Sequence, residues 1–184
     1  MARIPYFDPA NAEGRLKETI EKLPALNIFR MMAHSGDLLA KFTGLGNHIL
    51  GRAKLDAVLR EIAIIRVGVL SKASYEVYQH ERIGRDIGMS DDLIKAIHEG
   101  PDASAFDDLQ RLVMAFTDDV VLNVRASDAT FDPLAKHLSH KEMQELTLTI
   151  GYYMMVSRFL ETFDVDIEEE GNKASVDLKS LERK

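Results

Sequence analysis

The longest apolar run in the sequence, IAIIRVGVL at residues 62–70, constrains the fold more than any other stretch and is interrupted only by Arg66. Its β-branched residues suit a buried strand, and periodicity alone does not separate such a strand from a buried helix. The preceding residues decide it. AVLRE at 57–61 is built of good helix formers, and the two segments together are too long for an ordinary strand. Asp56 stands in the N-cap position, so a helix is expected from there to about residue 71. The run falls far short of the ~20 apolar residues needed to cross a bilayer, and no membrane segment is expected.

Other helices follow from their punctuation. A helix over 74–87 stops at Gly88, and Ser90 caps another to residue 99, with Asp91 and Asp92 in the first turn where the helix dipole favours negative charge. Ser104 and Asp107 have the spacing of a capping box, ahead of an apolar face through Leu109, Leu112, Val113, Phe116 and Val120. A short helix over 131–138 leads to Ser139 and Glu142, a second capping box that opens a long final helix to about residue 163. That helix is apolar on nearly all sides from 146 to 160, which requires a central place in the domain or burial against another subunit. Toward the N-terminus helices are expected at 11–23, 28–33 and 37–50, the last capped by Ser35. About eight helices and no confident strand predict an all-α, multi-helix bundle. Residues 1–168 form its single domain, with 1–26 as an N-terminal arm, and 169–184 form a charged tail with little to bury.

Composition excludes several functions. With 23 basic and 30 acidic residues the net charge is −7, which disfavours nucleic acid as a partner because phosphate binding needs basic patches. The opening MARIPYFDPA lacks the apolar core of a secretory signal, so a cytoplasmic protein is expected. No cysteine is present, which removes thiol redox chemistry, disulfides and cysteine nucleophiles together.

One helix carries the chemistry. Glu76 and His80 stand four apart and leave the same face, and a carboxylate beside an imidazole fixes its tautomer and raises its pKa. Spacing leaves two readings open, a solvated surface pair or a proton-exchanging site. Glu61 and Arg66 lie in or beside the most apolar helix, where charge needs partners, and a buried ion pair stands beside a catalytic role for them. His137 and His140 are three apart with no completing carboxylate or cysteine cluster, so no metal site is expected. Tyr75 and Tyr78 flank the site helix and suit either packing or the wall of a pocket for a ring-shaped substrate. The pairs Tyr152-Tyr153 and Met154-Met155 on the final helix read as core or interface.

Glu61, IAIIRVGVL and ASYEVYQHERIGRDIGMSDD together resemble the carboxymuconolactone decarboxylase family, whose fold is that of alkyl hydroperoxidase D. The resemblance extends from ARIPYFDPA through LNIFRMMAHS to IGYYMMVSRFLETFDVDIE, a longer single-domain branch. In the peroxidase relatives a glutamate, a CxxC pair and a histidine form a thiol proton relay. Glu61 and His80 match its outer members, while Ala73 and Glu76 stand at the cysteine positions. The resemblance therefore implies a cofactor-independent lyase of aromatic-compound catabolism, which decarboxylates an unsaturated lactone or related small carboxylic acid. His80 is the acid-base residue, Glu76 orients and charges the imidazole, Glu61 is a second proton carrier, and Arg66 or Arg82 holds a substrate carboxylate. The superfamily's peroxidase activity is disfavoured without cysteine, and a non-catalytic oligomeric small-ligand-binding protein is the remaining alternative. Members of the family assemble as homo-oligomers, often trimers or hexamers.

Overall fold

In the computed structural model, which describes residues 1–169 and 174–181, all regular structure is helical. The α-helices in chain order are α1 (Gly14–Ile20), α2 (Asn27–Met32), α3 (Leu38–Arg52), α4 (Ala57–Ser71), α5 (Ser74–Asp86), α6 (Asp91–Glu99), α7 (Asp108–Asn123), α8 (Asp128–Leu134), α9 (His140–Phe163) and α10 (Leu178–Leu181). They fall into two compact units. One runs from Ala53 to Phe159, and the other comprises Met1–Arg52 with the described residues from Leu160 onward. No helix among the described residues is long and apolar enough to cross a membrane.

The 53–159 unit is built around α4. Asp56 accepts hydrogen bonds from the Val58 and Leu59 amides and starts the helix. Every residue from Leu59 to Gly68 is buried, and α5, α6 and α7 pack against the helix. Lys72, in the left-handed region at φ 56, ends α4 and turns the chain into α5. The two helices then pack closely at Gly68, where a Cβ would stand 2.9 Å from Val77 Cγ2. This hairpin faces the residues of α4 toward those of α5.

Several expected boundaries hold, including the Ser90 cap of α6 and the reciprocal Ser139–Glu142 box before α9. Others move. The capping box of α7 is Asp107 with Gln110, one turn beyond the Ser104 pair. Helix α8 begins at Asp128, because Asp119 accepts from the Ser127 amide and the Thr130 hydroxyl and fixes the chain there. Ser35 donates to Met32 O within a 3-10 turn and does not cap α3. The expected helix over 11–23 is a 3-10 turn at Pro9–Asn11 followed by the shorter α1.

In the other unit the N-terminal arm is pinned. Arg3 N donates to Phe163 O, the Arg3 side chain pairs with Asp164, and Tyr6 exchanges hydrogen bonds with Asp166. Of the tail, residues 170–173 and 182–184 lie outside the described residues. Helix α10 packs on α3 so closely that a Cβ on Gly51 would collide with Leu181.

Candidate functional site

Glu61 lies in the second turn of α4 and is 0% exposed. A carboxylate with no water must take its hydrogen bonds from protein donors. Two supply them. Arg60 Nε donates to Oε1 at 3.1 Å, and His80 Nδ1 donates to Oε2 at 2.6 Å across the α4–α5 hairpin. His80, itself 6% exposed, carries Glu76 on its other side, with Nε2 and Glu76 Oε1 3.1 Å apart. That approach is close enough for an ion pair but off the line of a hydrogen bond, and Glu76 Oε1 is a buried oxygen without a hydrogen-bond partner. The imidazole is therefore locked at Nδ1 and loosely held at Nε2.

Charge follows from this arrangement. Burial lowers the His80 pKa, but the carboxylates of Glu61 and Glu76 outweigh it and push the value up to about 9. At neutral pH the ring is an imidazolium. Arg60, Glu61, His80 and Glu76 then form a buried row of alternating charge, Arg60 and Glu76 being 4% and 3% exposed. The Tyr153 ring makes a T-shaped contact with the imidazole, with centroids 4.8 Å apart and planes at 80°. Tyr152 packs against Tyr153 in turn at 5.2 Å. The row is equipped to donate a proton from Nε2 while Glu61 holds the other side of the ring.

The hairpin thus brings Glu61, Glu76 and His80 together. Arg66 does something else. Its Nε and Nη2 donate to the two oxygens of Asp118 at 2.6 and 2.7 Å, and Nη1 donates to Ile97 O at 3.0 Å, so its guanidinium braces α4 against α6 and α7. Five residues beyond Glu61 on the same helix, it also leaves α4 in a different direction. Arg82 stacks over the Tyr78 ring at 5.6 Å, and Tyr78 is exposed, on a side of α5 turned away from His80. Tyr75 is buried in the first turn of α5, next to Glu76. Among the described residues no cluster of histidine and carboxylate side chains is arranged to hold a metal ion.

Two members of the site escaped sequence reasoning. Arg60 directly precedes Glu61 in the apolar helix, and the rule that buried charge needs a partner applied to it as much as to Arg66. Tyr153 carries no local signal, since it lies far along the chain on α9 and reads there as core.

No curated protein sequence matches the chain. Among solved structures, the AhpD core of an uncharacterized peroxidase-related protein from Ralstonia eutropha JMP134 superposes with a TM-score of 0.80 at 17% identity, covering 91% of this chain and 93% of that one. An uncharacterized peroxidase-related protein from Silicibacter sp. TM1040 gives 0.72 at 18% identity, covering 85% and 83%. The debrominase Bmp8 in complex with 2,3,4-tribromopyrrole gives 0.70 at 19% identity, covering 83% and 81%. These likenesses are likenesses of fold. The Carboxymuconolactone decarboxylase family matches residues 36–119, which include Glu61, Glu76 and His80. Residues 36–119 are thus similar to the carboxymuconolactone decarboxylase family, and the chain carries them on an all-α, AhpD-like fold.

Proposed function

We propose that the protein is a cofactor-independent acid-base lyase that decarboxylates an unsaturated lactone acid or a related small carboxylic acid. The observation that carries this reading is an imidazole held between two buried carboxylates, in a chain with no cysteine for thiol chemistry. Loss of CO2 leaves a carbanion delocalised into the conjugated lactone, and the reaction needs a proton donor beside it. His80 Nε2–H is that donor, Glu61 and Arg60 hold the ring and its charge, and Glu76 keeps the imidazole protonated between turnovers. Apolar surroundings raise the energy of the substrate carboxylate by withholding water from it. Arg66 has no part in this reading, because its Nε, Nη1 and Nη2 each donate to Asp118 or Ile97 and hold the guanidinium between α6 and α7. We further propose that the protein works as a homo-oligomer.

The test is CO2 release from γ-carboxymuconolactone by the purified protein, with His80→Gln beside it. Turnover that falls at least about 100-fold in the variant supports the reading. Equal turnover in both proteins sinks the role of His80. An inactive wild type discards this substrate and sends the search to other unsaturated acids, or to ligand binding without turnover.

A further inference from the structure

We propose that the Tyr153 hydroxyl is a catalytic hydrogen-bond donor that receives the enolate oxygen of the reacting acid, a role resting on the acid-base reading above. Its ring makes a T-shaped contact with the His80 imidazole, with centroids 4.8 Å apart, which packs the phenol ring against the residue that donates the proton. Tyr152 makes a T-shaped contact with the same ring at 5.2 Å. Tyr153 is only 4% exposed, yet its hydroxyl makes no hydrogen bond among the described residues. A buried tyrosine ordinarily finds a partner for its O–H, and leaving one unmade is unfavourable. A donor without a protein partner, on a ring packed against the proton source, is preorganised for charge that appears only during reaction.

The phenol also has the right protonation state. Burial, then the carboxylates of Glu76 and Glu61, hold its pKa well above the ordinary tyrosine value. It therefore remains a donor over the whole range in which His80 is an imidazolium, and it never serves as the base. In the reaction the bond from a ring carbon to the carboxylate breaks, CO2 leaves, and the electron pair passes through the conjugated system to the lactone carbonyl oxygen. Tyr153 donates a hydrogen bond to that oxygen and keeps its proton. The proton that ends on carbon comes from His80 Nε2–H, and the neutral imidazole is reprotonated from water. Nothing is oxidised or reduced.

The experiment compares wild type with Tyr153→Phe, which keeps the ring against His80 and removes only the hydroxyl. With γ-carboxymuconolactone, kcat is expected to fall about 100-fold with KM little changed, the loss typical of one oxyanion donor. The His80 titration, followed by NMR, should stay in place, whereas a merely structural role would move it. A second arm needs no turnover: calorimetric binding of tetronic acid, a γ-lactone that is an enolate anion at neutral pH. The variant should bind it about 10-fold more weakly, with the neutral lactone 2(5H)-furanone bound equally by both proteins. If His80→Gln loses turnover while Tyr153→Phe keeps both turnover and tetronate affinity, the Tyr153 role is overturned and the acid-base reading stands. If the wild type does not turn the lactone over, that substrate falls, and tetronate still decides. A 10-fold loss upholds Tyr153 as the enolate donor, and equal affinity, or no binding to the wild type, overturns it.

Discussion

A histidine enclosed by two carboxylates takes its charge from them, and its protonation becomes part of the stability of the fold. Because the folded pKa of His80 is raised from 6.5 to about 9, folding favours the protonated form. The stabilisation is fully present below about pH 6.5 and is lost as pH rises through the folded value near 9. A shift of this size corresponds to an order of about 3 kcal/mol. Urea unfolding of the wild type should therefore show stability declining between pH 6.5 and pH 9.5, by more than the decline in His80→Gln. Parallel pH profiles in the two proteins would mean that the imidazole is neutral. The same charge governs activity. Glu61→Gln removes the carboxylate bonded to Nδ1, so NMR should find the His80 pKa lowered and the alkaline limb of the rate profile moved to lower pH.

At the scale of the element, the distance between Glu61 and His80 is set by how closely α4 and α5 pack. Gly68→Ala tests this. A better helix former in α4 adds up to about 1 kcal/mol, while the new Cβ, 2.9 Å from Val77 Cγ2, forces a shift costing about 1–3 kcal/mol. The variant should be less stable by urea unfolding, with the His80 resonances displaced as the helices part. Arg66→Met separates a brace from a binding group. It should lose about 3 kcal/mol of stability by stranding Asp118, and leave KM unchanged, whereas a substrate-binding arginine would raise KM and spare stability. The helices that carry this geometry were legible because Asp56, Ser90 and Ser139 announce themselves within one turn of chain. The start of α8 was not, since Asp119 sets it from α7 through space. At α7 two overlapping boxes, Ser104 with Asp107 and Asp107 with Gln110, obey the same local rule, and the second prevails. The site divides in the same way. Glu76 and His80 show by spacing and Glu61 by resemblance, but the contact of Tyr153 with His80 exists only once α9 is folded against α5.

For the whole molecule, α9 poses the question of assembly. Its apolar residues Leu146, Ile150, Tyr153 and Val156 are buried, whereas Leu148 and Met155 are 62% and 50% exposed on one line of the helix. Gly151 lies between them, with nothing within 4 Å of where its Cβ would be. A glycine in an exposed helix interior costs about 1 kcal/mol against alanine, and a close approach of another backbone gives it a use. The stripe is complementary to itself. Two copies of α9 paired antiparallel about Gly151 set Leu148 of each beside Met155 of the other, and Gln144 beside Arg158, so that apolar groups meet at the centre and polar ones at the ends. Light scattering should then report a multiple of the 20.7 kDa chain mass. Leu148→Glu places two carboxylates in the centre of the pairing and should lower the assembled mass while leaving the His80 titration unchanged. A wild type that scatters at 20.7 kDa would show that the stripe is simply solvated, and that the acid-base site operates within one chain.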